Sequence, residues 1–352
     1  MTAGDEATDT TQAPEGIDAG AIEAWFAANV PGAEPPLSFE RISGGRSNLT
    51  YAVADAAGSR WALRRPPLGK RLGSAHDMSR EHKVISALQA TDVSVPPVIG
   101  FCEDESVNGA PFYVMDFVEG PILRVRDDAG TFPEPERHEI GERVVDTLVA
   151  IHAVDVDEVG LGELGRKQDY VARQLHRWHG QWEKSKTREL AVVDEVHERL
   201  AARIPEQGAA TIVHGDYRLD NMILSPAGEV SAVVDWELCT LGDPLADVGL
   251  LLVYWSEPGD ELIPLFEPAT MAPGFPTRDE LKERYAQGSG RDLSEVDFFV
   301  ALGFWKLAVI LEGVFARYAA GQYGKTDEGH EQFANVVERL AEGAAEAESR
   351  LG

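Results

Sequence analysis

The sequence predicts an α+β chain in two parts, a small β-rich part ahead of residue 120 and a larger, mainly helical part after it. Three observations carry this. Between residues 38 and 119, short β-like runs alternate with turns. Gly120-Pro121 then breaks the chain, and the long stretches beyond it read as helices. One island over 211–235, rich in β-branched and apolar residues, interrupts those helices.

The first sixteen residues, "MTAGDEATDTTQAPEG", are polar, acidic and aperiodic, and read as a disordered tail over 1–16. "IDAGAIEAWFAANV" predicts a short helix that opens an N-terminal part over 17–119. The runs "LSFERI", "LTYAVA" and "RWALRR" then read as strands, with "AAGS" as a turn and Pro66-Pro67 as a stop. A helix follows near 77–89 with Asp77 as its N-cap. "APFYVMDFVEG" reads as the last strand before the break. In the second part, 120–352, helices are expected around 134–152, 167–184, 188–203, 294–320 and 327–349. "TRDE" at 277–280 forms a capping box for another.

Composition sets limits on function. The 352 residues carry a net charge of −28, which argues against a nucleic-acid partner, because a phosphate backbone calls for clustered Lys and Arg. The charge is uneven: residues 1–40 have no Lys or Arg, whereas 41–85 hold nine against Asp55, Asp77 and Glu81. An anion held there and a solvated basic face both fit that pattern. The apolar run "VGLLLVYW" at 248–255 is too short for a bilayer, and no membrane partner is expected. The N-terminus does not read as a secretion signal. Two distant cysteines, Cys102 and Cys239, exclude a disulfide framework and suit a cytoplasmic protein.

The densest chemistry lies in "IVHGDYRLDNMIL" and "VSAVVDWE". Asp216 and Asn221 are five residues apart, and Asp235 closes a Val-rich strand nineteen residues after Asp216. Two apolar strands around a polar loop would bring the three together. Phosphoryl transfer needs such a trio: a carboxylate to orient an attacking hydroxyl and take its proton, and hard oxygen ligands for Mg²⁺. Arg218 would lie close enough to stabilise charge on the moving phosphoryl group. Gly, Asp and Asn also build hairpin turns, but a turn does not need this full set at these spacings.

"HGDYRLDN" followed by "VVDWE" resembles the loops of the aminoglycoside phosphotransferase family, kinase-like enzymes that phosphorylate small molecules. "LRRPP", "GAPFYVMDFVEG" and "LGDPLADVG" are similar to the branch that includes the kinase-like module of acyl-CoA dehydrogenase fusion proteins. The resemblance covers roughly residues 38–320. It implies a protein-kinase-like two-lobe fold, a small β-rich N-lobe with a larger mainly helical C-lobe, and ATP and Mg²⁺ as cofactors. It makes Asp216 the base and gives Asn221 and Asp235 the metal. Arg64 takes the place of the kinase phosphate-binding Lys, a departure that changes the geometry. Met78, Glu81, Ile85 and Leu88 share a helical face, so Glu81 sits in an apolar stripe and needs a partner; an Arg64–Glu81 pair is expected. Ser47, beside Gly44 and Gly45, would bond a phosphate. Met115, Asp116 and Val118 would meet the adenine, the last two through backbone groups.

The acceptor is less legible. Residues 166–186 carry six basic residues against two acids, with Arg173 and Arg177 one helical turn apart. They could hold an anionic handle such as coenzyme A, or form an ordinary solvated face. With the branch resemblance this favours a hydroxyacyl-CoA or hydroxy acid, with an aminoglycoside as the alternative. A pseudokinase that binds nucleotide without chemistry is the competing class.

Overall fold

The computed structural model describes residues 13–42, 48–68, 77–260, 267–320 and 330–351. The chain divides into two compact units, Met1–Ala90 with Val95–Glu119, and Thr91–Ser94 with Gly120–Gly352.

The first unit begins with α1 (Ala19–Asn29), capped by the Asp18 carboxylate accepting from Ala21 N. Strands β1 (Ser38–Arg41), β2 (Leu49–Ala54) and β3 (Arg60–Arg65) follow, then α2 (Met78–Leu88) and β4 (Val98–Cys102). A four-residue helix α3 (Glu105–Asn108) and β5 (Phe112–Asp116) complete it. Helix α3 is a single turn, too short to show a period in the sequence. The sheet is antiparallel, in the order β1-β2-β3-β5-β4. Alternation along β2 and β3 sends Tyr51, Val53, Trp61 and Leu63 to one face, where α1 covers them. Trp25 meets Phe112 edge-on at 5.0 Å, and Phe26 meets Trp61 at 5.5 Å. Of the expected tail, residues 1–12 lie outside the described residues. Residues 13–16 are tied to the sheet: Tyr51 Oη donates to the Glu15 carbonyl at 2.6 Å.

The second unit contains α4 (Glu134–Ala153), α5 (Tyr170–Ser185) and α6 (Ala191–Ala202), then four short strands: β6 (Thr211–Val213), β7 (Met222–Leu224), β8 (Val230–Val233) and β9 (Thr240–Gly242). Helices α7 (Leu245–Tyr254), α8 (Arg278–Ser289), α9 (Val296–Ala319) and α10 (His330–Ser349) complete the described elements. The β island is longer than expected. It runs to Gly242, because β6 pairs with β9 while β7 pairs with β8. A three-residue strand such as β9 carries too little alternation to be read from sequence. Thr277 and Glu280 form the expected capping box on α8.

Helix α9 is long and apolar enough to cross a membrane by length and composition alone. Its apolarity has another explanation in the packing: α7, α10, α5 and α6 surround it. Glu312, fully buried on α9, accepts at Oε1 from Thr187 N and Oγ1, both at 2.7 Å, and its Oε2 faces Arg188 Nη1 at 3.3 Å.

Helices α7 and α9 approach so closely that a Cβ on Gly249 would fall 2.4 Å from the Phe299 carbonyl carbon. Gly249→Ala is therefore expected to destabilise the protein by about 1–3 kcal/mol through overpacking. Gly180→Ala, in the α5 interior with no atom within 4 Å of the new Cβ, should instead stabilise by about 0.5–1 kcal/mol. Chemical denaturation of the two variants reads the opposite signs.

Candidate active site

In the first unit, β3 carries Arg64 between Thr50 of β2 and Tyr113 of β5. Its Nε donates to Glu81 Oε2 at 3.0 Å and its Nη1 to Thr50 Oγ1 at 3.2 Å. Glu81 lies on the buried stripe of α2 with only 1% of its surface exposed, so the expected ion pair is present and both charges are largely dry. Asp77 holds the start of α2 by accepting from Ser79 N and Arg80 N.

Met115 is buried in β5 opposite Ala62. Asp116 donates its N–H to the Pro97 carbonyl at 2.8 Å. In an antiparallel hydrogen-bonded pair the opposite residue returns a bond, but proline has no N–H to return. The Asp116 carbonyl is thus left without that ladder bond. Val118 follows the strand, beyond Phe117, whose ring carries the Arg60 guanidinium 3.9 Å from its centroid. Ser47, with Gly44 and Gly45, lies outside the described residues.

In the second unit, β6 feeds a loop that turns at Gly215, where φ is +86° and a side chain would press on Leu238. The fully buried Asp247, on the first turn of α7, accepts from His214 N at 2.6 Å and Gly215 N at 2.8 Å. Burial opposes ionisation of this carboxyl, but the nearby His152 and His214 and the loop N–H groups outweigh it and hold it below its ordinary value. Lys306 of α9 donates to the Gly215 carbonyl at 2.9 Å. Burial pushes the Lys306 ammonium below its ordinary value, against the opposing pull of Asp216 and Asp247. Tyr217 Oη donates to the Val144 carbonyl at 2.7 Å.

His214 works as a strut. Its Nε2 donates to the Val234 carbonyl at 3.1 Å, and its Nδ1 accepts from Asp216 N at 3.2 Å. Both ring nitrogens are consumed, Nε2 in tying the loop to the end of β8 and Nδ1 in fixing the backbone at Asp216.

Asp216 presents its carboxylate beside Asn221, which donates Nδ2 to Asp216 Oδ2 at 3.0 Å and to the Asp216 carbonyl at 2.9 Å. That leaves the Asn221 amide oxygen as its remaining polar atom. Val234 N donates to the Asn221 carbonyl at 2.9 Å, so Asn221 and Asp235 stand at neighbouring ends of the β7–β8 pair. Asp235 adopts a left-handed backbone, φ 67° and ψ 57°, which costs a residue with a Cβ about 1–2 kcal/mol. An amide oxygen and a carboxylate so placed are hard donors that fit Mg²⁺.

Arg218 pairs with Asp220, and its guanidinium lies 4.3 Å from the Tyr254 ring centroid. Asp220 is therefore a partner of Arg218. Tyr254 Oη donates to Asp216 Oδ1 at 2.9 Å. Beside these groups opens a cavity of about 430 Å³, with Asp216 and Arg218 on one wall and apolar side chains from α7, α9 and α10, including Leu251, Leu307, Ile310 and Leu340, on the others.

Two expected acceptor residues are not brought there. Neither Arg173 nor Arg177 lines the cavity. Arg173 donates to the Arg166 carbonyl at 2.6 Å, and Arg177 lies over the Trp178 ring at 5.1 Å. Periodicity placed them on a common face but could not say what that face meets. Arg124, exposed beside the break, lines the cavity instead. Tyr254 and Lys306 were missed altogether. The available signal was one polar tip and one cation inside the apolar runs "LLLVYW" and "ALGFWKLAVI".

Residues 38–299 match the model of the phosphotransferase enzyme family. The chain belongs to that family. It is 35% identical over 312 residues to mouse acyl-CoA dehydrogenase family member 10, covering 87% of this chain and 29% of that one. The chain thus spans under half the length of the curated relatives it matches. A solved Ralstonia eutropha protein assigned to the aminoglycoside phosphotransferases superposes with a TM-score of 0.80 at 32% identity, covering 95% of this chain and 98% of the other. Choline kinase from Cryptosporidium parvum shares the fold at a TM-score of 0.67 and 13% identity, covering 95% and 97%. The fold is protein-kinase-like, with a small antiparallel-sheet N-terminal part and a helical C-terminal part.

Removing the Asp247 carboxylate should unfold this loop. Asp247→Ala leaves two buried N–H groups unpaired and is expected to cost about 3–5 kcal/mol. Because the folded value is depressed, the ionised carboxylate's contribution is full above the ordinary value of 3.8 and is lost as pH falls through the folded value. The stability gap between wild type and Asp247→Asn, measured by denaturation from pH 7 to pH 3, should therefore narrow toward acid.

Proposed function

We propose that the protein is an ATP- and Mg²⁺-dependent phosphotransferase that moves the γ-phosphoryl group to a hydroxyl of a small molecule. The acceptor class is a hydroxyacyl-CoA or hydroxy acid. The observation that carries this is the cavity beside Asp216, a carboxylate set against apolar walls large enough for an acyl chain. Arg124 and Arg218 suit an anionic acceptor, and of the acids on the same lining, Asp216, Asp220 and Glu267, Asp220 is already paired with Arg218. The likeness to the acyl-CoA dehydrogenase relatives points the same way.

In this reading the acceptor hydroxyl lies against the Asp216 carboxylate. Its oxygen bonds to the γ-phosphorus, the bond to the β-phosphate oxygen breaks, and ADP leaves. The hydroxyl proton passes to Asp216. Asn221 and Asp235 hold Mg²⁺, which supplies charge neutralisation on the phosphates when bound. Arg64 supplies positive charge for the nucleotide phosphates, and Glu81 holds it in place. The Asp116 carbonyl and Val118 N–H, next to Met115, serve the base. Arg218 would have to exchange Asp220 for the transferring group to act on it.

Phosphate transfer from ATP to a panel of hydroxyacyl-CoAs, hydroxy acids and aminoglycosides tests this. Turnover is expected on an acyl acceptor, with a loss of about 10²–10⁴-fold in Asp216→Asn. Asp235→Ala should raise the Mg²⁺ concentration for half-maximal turnover by more than about tenfold, a loss that even an outer partner of a metal ligand can produce. Nucleotide binding with no turnover on any acceptor would instead favour a pseudokinase.

A further inference from the structure

Helix α7 meets the loop twice. Asp247, in its first turn, holds the peptide N–H groups of His214 and Gly215. Tyr254, the last residue of the helix and seven positions on, reaches the Asp216 side chain itself. Seven residues are about two turns, so both groups leave the same face. One rigid element thus holds the backbone on one side of Asp216 and its carboxylate on the other.

The two oxygens of Asp216 are treated differently. Oδ2 accepts from the Asn221 amide and Oδ1 from the Tyr254 hydroxyl. Each carboxylate oxygen has a second lone pair, so these bonds fix the orientation without closing the group to an incoming hydroxyl. Tyr254 also carries the Arg218 guanidinium over its ring and lines the cavity. Burial, followed by the Asp216 charge, raises the Tyr254 phenol well above its ordinary value. The group therefore stays protonated and able to donate at any working pH.

We propose that Tyr254 is a positioning residue for phosphoryl transfer: its hydroxyl orients the Asp216 carboxylate toward the cavity, and its ring seats Arg218. This rests on the reading of Asp216 as the base.

Tyr254→Phe keeps the ring against Arg218 and removes one oxygen. We expect kcat to fall about 10–100-fold, with KM for ATP and for the acceptor within about threefold of wild type and an unchanged melting midpoint. Placed on Asp216→Asn, the same substitution should cost less than about twofold in single-turnover rate, because it acts through the group already removed. Tyr254→Leu, which also removes the ring, should lose more than Tyr254→Phe. An active wild type with Tyr254→Phe turnover within twofold of it would overturn the inference and leave the proposed function standing. An equal loss in both backgrounds would overturn it as well. A wild type that transfers phosphate to no acceptor would overturn the functional reading, and the inference with it.

Discussion

A carboxylate cut off from water, Asp247, is the group on which the rest of this site depends. A buried ion is costly unless its lone pairs are met, and Asp247 meets them with two peptide N–H groups and the His152 ring. Those two peptides flank His214, directly before Gly215, whose positive φ turns the chain ahead of Asp216, a residue of the cavity lining. Lys306 then takes the carbonyl of Gly215, so the loop is gripped through its donors and its acceptors by two different helices. His214 adds a third attachment, to the end of β8. A loop held this way loses little freedom when a ligand arrives, which is the condition for orientation to accelerate chemistry.

The polar residues of α7 and α9 take their meaning from the apolar helices that carry them. Asp247 and Tyr254 bracket a run of leucine and valine, and Lys306 stands alone among aromatic and aliphatic neighbours. The same side chains that bury these helices also wall the cavity beside Asp216. Low polarity around a carboxylate and a guanidinium strengthens their fields.

Arg64 has a physical reason to be arginine. Its Nε meets Glu81 on α2 while its Nη1 meets Thr50 on the neighbouring strand. A planar fork reaches two partners in different directions, which the single nitrogen of a lysine does less rigidly. Placing the charge through Arg therefore ties α2, β2 and β3 into one unit.

Much of this was written locally. The strands β2 and β3, the cap of α2, the capping box of α8 and the pairing of Arg64 with Glu81 all follow from alternation, helical period and the cost of an unpaired carboxylate in an apolar stripe. The meeting of Asp216 with Asn221, and the place of Asp235 at the neighbouring strand end, were also legible, because a short loop between paired strands leaves few places for them to go. Arg173 and Arg177 show where that reading ends. Their spacing set a shared helical face, yet which surface the face meets depends on how α5 packs against residues far along the chain. Tyr254, Lys306 and the cavity belong to the same kind of fact. Sequence alone determined the local elements and which candidate groups share a loop or a strand end, since periodicity and turn geometry act over a few residues. Only the tertiary structure decided what holds Asp216 and what lies before it, since those contacts join positions separated by tens of residues and no local period records them.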